Sequence, residues 1–290
     1  MMSSAIRLVA DVKALLGEGP LWVERDQALY WLDIKGYRIL RLDGSGLREW
    51  PTAMRVGSIA PRASGGFVAG TETGFATLEL GDEAQFTAIG DPEADSPGNR
   101  FNDGKVDRHG RFWAGTMDDS EQASVGALYR LTADHRWTTH DEGYAVTNGP
   151  AFNRAGDVMY HTDSGRRTIY RFALSPEGEL GAREVFLRFA GDEGYPDGMT
   201  VDAEDCLWVA FWDGWAVRRF SPTGDELAMI EVPAQRPTSV AFGGAALDRL
   251  YISSARIGLD GTALTAQPAA GGLFMVEPGV SGIPETLFGG

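Results

Sequence analysis

The chain is poor in the features that most often announce a function. It has one cysteine, Cys206, among 290 residues. No internal disulfide can form, and the setting "CLWVAF" reads as a buried strand that wants a small apolar residue there. Basic residues are outnumbered, 26 Lys and Arg against 41 Asp and Glu, for a net charge of −15. A nucleic-acid binder needs cationic surface to displace counterions from phosphates, and an anionic membrane makes the same demand, so neither is an expected partner. No apolar run approaches the ~20 residues of a membrane helix. The opening "MMSSAIRLVADVK" lacks the apolar core of a signal peptide. A soluble cytoplasmic protein is the simplest expectation, with a monomer as its simplest assembly. There is no His-Glu-x-x-His zinc motif and no Gly-x-Ser-x-Gly elbow. "GDEGYPDG" lacks the ligand spacing of an EF-hand. The four histidines, His109, His135, His140 and His161, are scattered. His161 falls in a predicted strand, where a structural partner is expected for its ring.

Glycine, by contrast, is abundant, with 38 residues, and helix-period stretches are few. That combination predicts tight turns and short strands. One pattern recurs, a turn followed by an aromatic-centred strand: "RDQALYWLD", "ASGGFVAGT", "RHGRFWAGT", "RAGDVMYHTD", "AEDCLWVAF" and "LDRLYISSA". The anchors are Trp31, Phe67, Trp113, Tyr160, Trp208 and Tyr251, spaced by about 44 residues, as in four-stranded propeller blades. Most copies are followed by a second alternating stretch, such as "YRILRLD" or "GALYRLT". The expected fold is all-β: one six-bladed β-propeller domain over 1–290, with four-stranded antiparallel blades around a central channel. The stretch "IRLVADV" (6–12) is expected to complete the last blade.

Upstream of each anchor stands a polar residue among small ones: Glu18 in "GEGP", Ser58 in "GSIAP", Asn102 in "FNDGK", Asn148 in "TNGP", Asp197 in "PDGM" and Ser239 in "TSVAF". Innermost strands of a propeller line its channel, so these six are expected to form a ring. Glu18 and Asp197 would repel each other there unless compensated. A shared proton is one solution. A bound cation is the better one, since carboxylate and amide oxygens are hard-metal ligands suited to Ca²⁺, Mg²⁺ or Mn²⁺, with Zn²⁺ or Fe²⁺ accommodated by a mixed site. Arg100, two residues before Asn102, is placed to reach the same opening. Loops after the anchor strands, at 117–124, 211–215 and 256–271, should surround it and carry specificity.

The stretches "LGEGPLW", "NRFNDGKVDRHGRFWAGTM", "GALYRL", "TNGPAF", "YPDGMTVD" and "SARIGL" resemble the senescence-marker-protein/gluconolactonase family, which is also the regucalcin and luciferin-regenerating-enzyme family. The resemblance spans residues 16 to about 259. It implies a six-bladed propeller with one divalent metal in the channel, held by Glu18, Asn148 and Asp197, and a substrate-contacting pair at Arg100 and Asn102. It also implies hydrolysis of sugar lactones. Some animal members carry an acid in the loop after "AGTM" that helps bind sugar hydroxyls. The direct register puts Ser120 at that place, so Asp119 and Glu121 on either side are the candidates to replace it.

The leading expectation is therefore a metal-dependent lactonase of gluconolactonase type, with the cation polarising the lactone carbonyl. Asp197 is the expected general base, with a metal-bound water as the competing nucleophile. Arg100 and Asn102 would orient the lactone. The rivals are a non-enzymatic metal-binding propeller, as scaffold or calcium buffer, and a metal-dependent phosphotriesterase.

Overall fold

The computed structural model describes residues 5–290. Its strands form six four-stranded antiparallel sheets, the blades of a six-bladed β-propeller. In chain order the strands of the first five blades span 17–51, 56–90, 99–144, 147–188 and 195–231; those of the sixth span 237–276. The sixth blade takes its outermost strand from Arg7–Ala10, which pairs antiparallel with Leu273–Val276. The expected closure by the early strand is thus observed. All six aromatic anchors lie on the second strand of a blade. The fourth strands were not read individually from the sequence. They are largely exposed, as in Glu226–Glu231, where Leu227 and Met229 face solvent.

The inner strands are buried along nearly their whole length, for example Thr147–Phe152 and Pro237–Gly243. This is why they read as short apolar-and-small runs rather than alternating patterns: both of their faces are buried. Chain contacts divide the protein into two units. One holds the chain up to Glu49 together with Phe189–Pro284; the other holds Trp50–Arg188 and Glu285–Gly290.

In the first unit, blades 1, 5 and 6 pack through aromatic cores. Trp31 lies with Tyr251 and Met275, and Trp208 meets Phe242 edge-on at 6.2 Å. In the second unit, Phe75 of blade 2 meets Phe101 of blade 3 at 4.3 Å, and Trp113 packs with Phe152 and Met159 of blade 4. Two anchors are also fixed by buried aspartates. Asp107 accepts from Trp113 Nε1 at 2.8 Å and Asp202 from Trp208 Nε1 at 2.9 Å. The C-terminal tail belongs to the second unit. Phe288 is fully buried in its core, donates its N–H to the Pro61 carbonyl at 2.8 Å and accepts from the Ala63 N–H at 2.8 Å.

His161 is on the second strand of blade 4, as expected, but its partner is of another kind. The ring is fully buried, stands edge-on to Tyr144 at 4.7 Å, and neither nitrogen has a hydrogen-bond partner among the described residues. Desolvation pushes its pKa down to about 3. Cys206 is buried, and burial raises its thiol pKa, which suits a packing role and not a nucleophile.

Candidate functional site

All six polar residues picked out by the repeat lie on inner strands, and all six are buried. Each also sits at a break in strand register. The pairing with the second strand shifts at Glu18/Leu21, Val56/Ser58, Phe101/Gly104, Asn148/Ala151, Pro196/Met199 and Pro237/Val240. A bulge leaves residues unpaired and re-aims their side chains, and bulges favour sheet edges and active sites. Here it recurs in every blade at the polar position. The small residues beside these positions have a steric cause. A Cβ on Gly57 would collide with the Phe101 and Asn102 carbonyl oxygens, and one on Gly198 with the Ser239 side chain. Only glycine lets adjacent inner strands approach so closely.

In the first unit, Glu18 and Asp197 stand on the inner strands of blades 1 and 5, with 5% and 6% of their surface exposed. Both strands neighbour the inner strand of blade 6. That strand is tied to blade 1 by Thr238 Oγ1, which donates to the Gly17 carbonyl at 2.5 Å. The Gly19 N–H donates to Glu18 Oε2 at 3.0 Å, and Gly19 takes a positive φ of 53° to make that turn. Two carboxylates this deeply buried need compensating positive charge or protons.

The second unit carries a continuous hydrogen-bonded chain. Arg100 Nε donates to Asp119 Oδ1 at 2.5 Å, and its Nη1 donates to Asn102 Oδ1 at 2.7 Å and to the Phe101 carbonyl at 3.0 Å. Asn102 Nδ2 donates to the Thr147 carbonyl at 2.7 Å and to Asn148 Oδ1 at 3.0 Å. Asn148 Nδ2 donates to Ser164 Oγ at 2.9 Å. Both amides are therefore oriented by the protein, and the Asn148 oxygen has accepted one hydrogen bond of the two it can take. Arg100 is buried to 5% exposure. Burial lowers its pKa, and the Asp119 carboxylate opposes that shift. Its Nη2 has no protein acceptor among the described residues.

The loop after "AGTM" resolves into distinct roles. Asp118 accepts from the Ser120, Gln122 and Ala123 N–H groups and so shapes the turn. Ser120 and Glu121 are exposed, Glu121 with φ of 57°. Glu121 acts on Arg100 only through space, whereas Asp119 is bonded to it directly.

Three residues of the site were missed in the sequence. Arg55 bonds Asp119 Oδ2 through Nη1 and Glu72 Oε2 through Nε, the latter at 2.5 Å. Its signal was positional: it precedes Ser58 by three residues, as Arg236 precedes Ser239. Ser164 bonds Asn148 from just beyond the second strand of blade 4. Asp103 accepts from the Gly104 N–H at 2.8 Å and the Gly149 N–H at 2.9 Å, and burial pushes its carboxyl up to about 6.

The SMP-30/Gluconolactonase/LRE-like region matches residues 16–256, a span that contains every one of these positions. The chain belongs to this family. It is 36% identical over 296 residues to a 6-deoxy-6-sulfogluconolactonase of Pseudomonas putida, covering 100% of both chains. It is 37% identical over 285 residues to a pentonolactonase of Haloferax volcanii, covering 96% of each. Among solved structures, a calcium-binding regucalcin of Agrobacterium tumefaciens superposes with a TM-score of 0.93 at 28% identity, covering 98% of this chain and 97% of the other. The alignment of family and fold agrees with the blade period read from the aromatic anchors. Family membership places the bulged polar positions in a scaffold shared with lactone-hydrolysing relatives. No helix among the described residues is long and apolar enough to cross a membrane.

The residue types fit a hard divalent cation. In the first unit Glu18 and Asp197 are buried carboxylates, and in the second Asn148 carries an amide oxygen already held in direction. Among the described residues there is no group of three or more His, Cys, Asp and Glu that could hold a metal. Carboxylate and amide oxygens favour oxygen-preferring ions over soft ones.

Proposed function

We propose that this protein is a metal-dependent sugar lactonase that opens an aldonolactone of glucono-, xylono- or arabinono- type to the aldonic acid. The observations that support it best are two buried inner-strand carboxylates in the first unit, Glu18 and Asp197, and the oriented chain Arg100–Asn102–Asn148 in the second, with Glu18, Asp197, Asn102 and Asn148 each at a bulge. The lactonase relatives point the same way.

Glu18, Asn148 and Asp197 would hold one divalent ion. When bound, such an ion supplies Lewis-acid polarisation of the lactone carbonyl. The protein's own residues do the rest. Arg100 offers Nη2 to the ring oxygens or hydroxyls, while its Nε and Nη1 are committed to Asp119 and Asn102 and hold it in place. Asp119 and Glu121 are the acids of the adjoining loop, Asp119 bonded to Arg100 and Glu121 exposed beside it. Asp197 takes a proton from the attacking water. The water oxygen bonds to the carbonyl carbon, the bond from that carbon to the ring oxygen breaks, and the ring oxygen leaves as a hydroxyl by taking the proton that Asp197 received from the water. Fixing the lactone against oriented donors is worth several kcal/mol when the geometry is tight.

The test is acid release from a panel of aldonolactones, with spontaneous opening subtracted. Chelator-stripped protein is compared with protein given single divalent metals, and Asp197→Ala is the control. Cation binding is followed separately by calorimetry. Metal-restored turnover that Asp197→Ala loses by at least about 100-fold is expected. A cation that binds with no turnover of any lactone would replace this reading with that of a metal-binding propeller.

A further inference from the structure

We infer that Arg55 is a positioning residue for Arg100, acting through the carboxylate of Asp119. The inference deepens the lactonase reading and rests on it for its kinetic test.

In two blades an arginine stands just ahead of the polar inner-strand residue and meets the acid that directly follows the second strand of the same blade: Arg55 meets Glu72 and Arg100 meets Asp119. Arg236 of blade 6 instead meets Asp213, the acid that follows the second strand of blade 5, at 2.7 Å. Arg236 uses its remaining donor capacity on the carbonyl of Ile257 and stacks over Trp212, which is a local structural duty.

Arg55 serves two acids at once. Its Nε satisfies Glu72 in its own blade, and its Nη1 crosses to Asp119 in the next blade. There it takes Oδ2, the oxygen that Arg100 leaves unused. Asp119 is thus bonded by two guanidinium groups, one on each oxygen. With Oδ2 held, the carboxylate cannot turn about its Cβ–Cγ bond, and Oδ1 stays aimed at Arg100 Nε. That anchor, with Asn102 on Nη1, fixes the plane of the guanidinium and hence the direction of Nη2. Asp119 is 23% exposed at its side chain, so loss of Arg55 removes a guanidinium from a partly solvated oxygen. The two arginines, Asp119 and Glu72 carry balanced charge, so Arg55 is not itself poised to recognise an anionic substituent.

Lysine can keep the charge but not the fork that serves two acids at once. Positioning of a substrate-binding group that acts equally on ground and transition states appears in KM more than in kcat. With the full-length protein and its best lactone, Arg55→Met should raise KM about tenfold with kcat within about threefold. Arg55→Lys should recover at least part of the loss. Melting temperatures of both should lie within about 4 °C of wild type. An Arg55→Met KM within about twofold of wild type overturns the inference. So does a parallel fall in kcat and kcat/KM, accompanied by a large loss of melting temperature that lysine does not rescue. A crystal structure of Arg55→Met decides the matter independently of turnover. Arg100 displaced from Asp119 supports the inference, and Arg100 unmoved on both Asp119 and Asn102 overturns it. Absence of lactone turnover by the wild type would sink the lactonase reading while leaving the structural outcome to judge the positioning role.

Discussion

His161 should make the fold acid-sensitive, and the size of the effect follows from its surroundings. The imidazole is fully buried beside the Tyr144 ring, and neither nitrogen is hydrogen-bonded. Arg183 adds a second, smaller push against the protonated form. The folded pKa of about 3 lies well below the ordinary value of 6.5. Between these two values the unfolded chain binds a proton that the folded chain does not. The stability from keeping this ring neutral is therefore fully present above pH 6.5 and is lost as pH falls toward 3. At one pKa unit per 1.36 kcal/mol, the loss by pH 4.5 is roughly 3 kcal/mol. His161→Leu removes the titrating group while keeping an apolar side chain of similar size. At pH 7 the variant should lie within about 1.5 kcal/mol of wild type, as volume-conserving core changes do. Urea melts from pH 7.5 to 4.5 would compare the two proteins at each pH. Other groups titrate in both and cancel in the difference. The expected result is a stability gap that moves by roughly 3 kcal/mol in favour of the variant as pH falls. Parallel curves across that range would refute the reasoning, because they would mean that the folded protein protonates this ring as readily as the unfolded chain does.

Two further perturbations test the architecture. Phe288→Ala empties a fully buried site in the core of the second unit, so a loss of about 3–5 kcal/mol is expected by denaturant titration; a loss below about 1 kcal/mol would mean that the tail does not stay docked. Gly57→Ala places a methyl group against the Phe101 and Asn102 carbonyl oxygens. It should cost about 1–3 kcal/mol and lower lactone turnover by shifting Asn102, and unchanged activity would show that the strands can part without disturbing the site.

The sequence carried the blade period because every blade needs a large aromatic on its second strand to fill the space between blades. Trp31, Trp113 and Trp208 are among the largest fully buried side chains for that reason. It also carried the six polar inner-strand positions, since a polar residue among small ones at one repeated offset is conspicuous. The outer strands were not legible. Residues such as Leu227 and Met229 are exposed and bear little constraint beyond backbone pairing. Asp107 and Asp202 passed unnoticed because an acid in a turn looks solvated until the indole it bonds is seen beside it.

Residue identity and spacing by themselves determined the fold, the family and the six polar positions, because period and composition are properties of the chain. Only the tertiary structure decided which way those side chains are aimed and what holds them. The bulges arise from pairing between strands. The bond from Arg55 to Asp119 joins residues 64 positions apart in the chain, on neighbouring blades. A contact of that separation exists only after the blades have packed, and no local pattern encodes it.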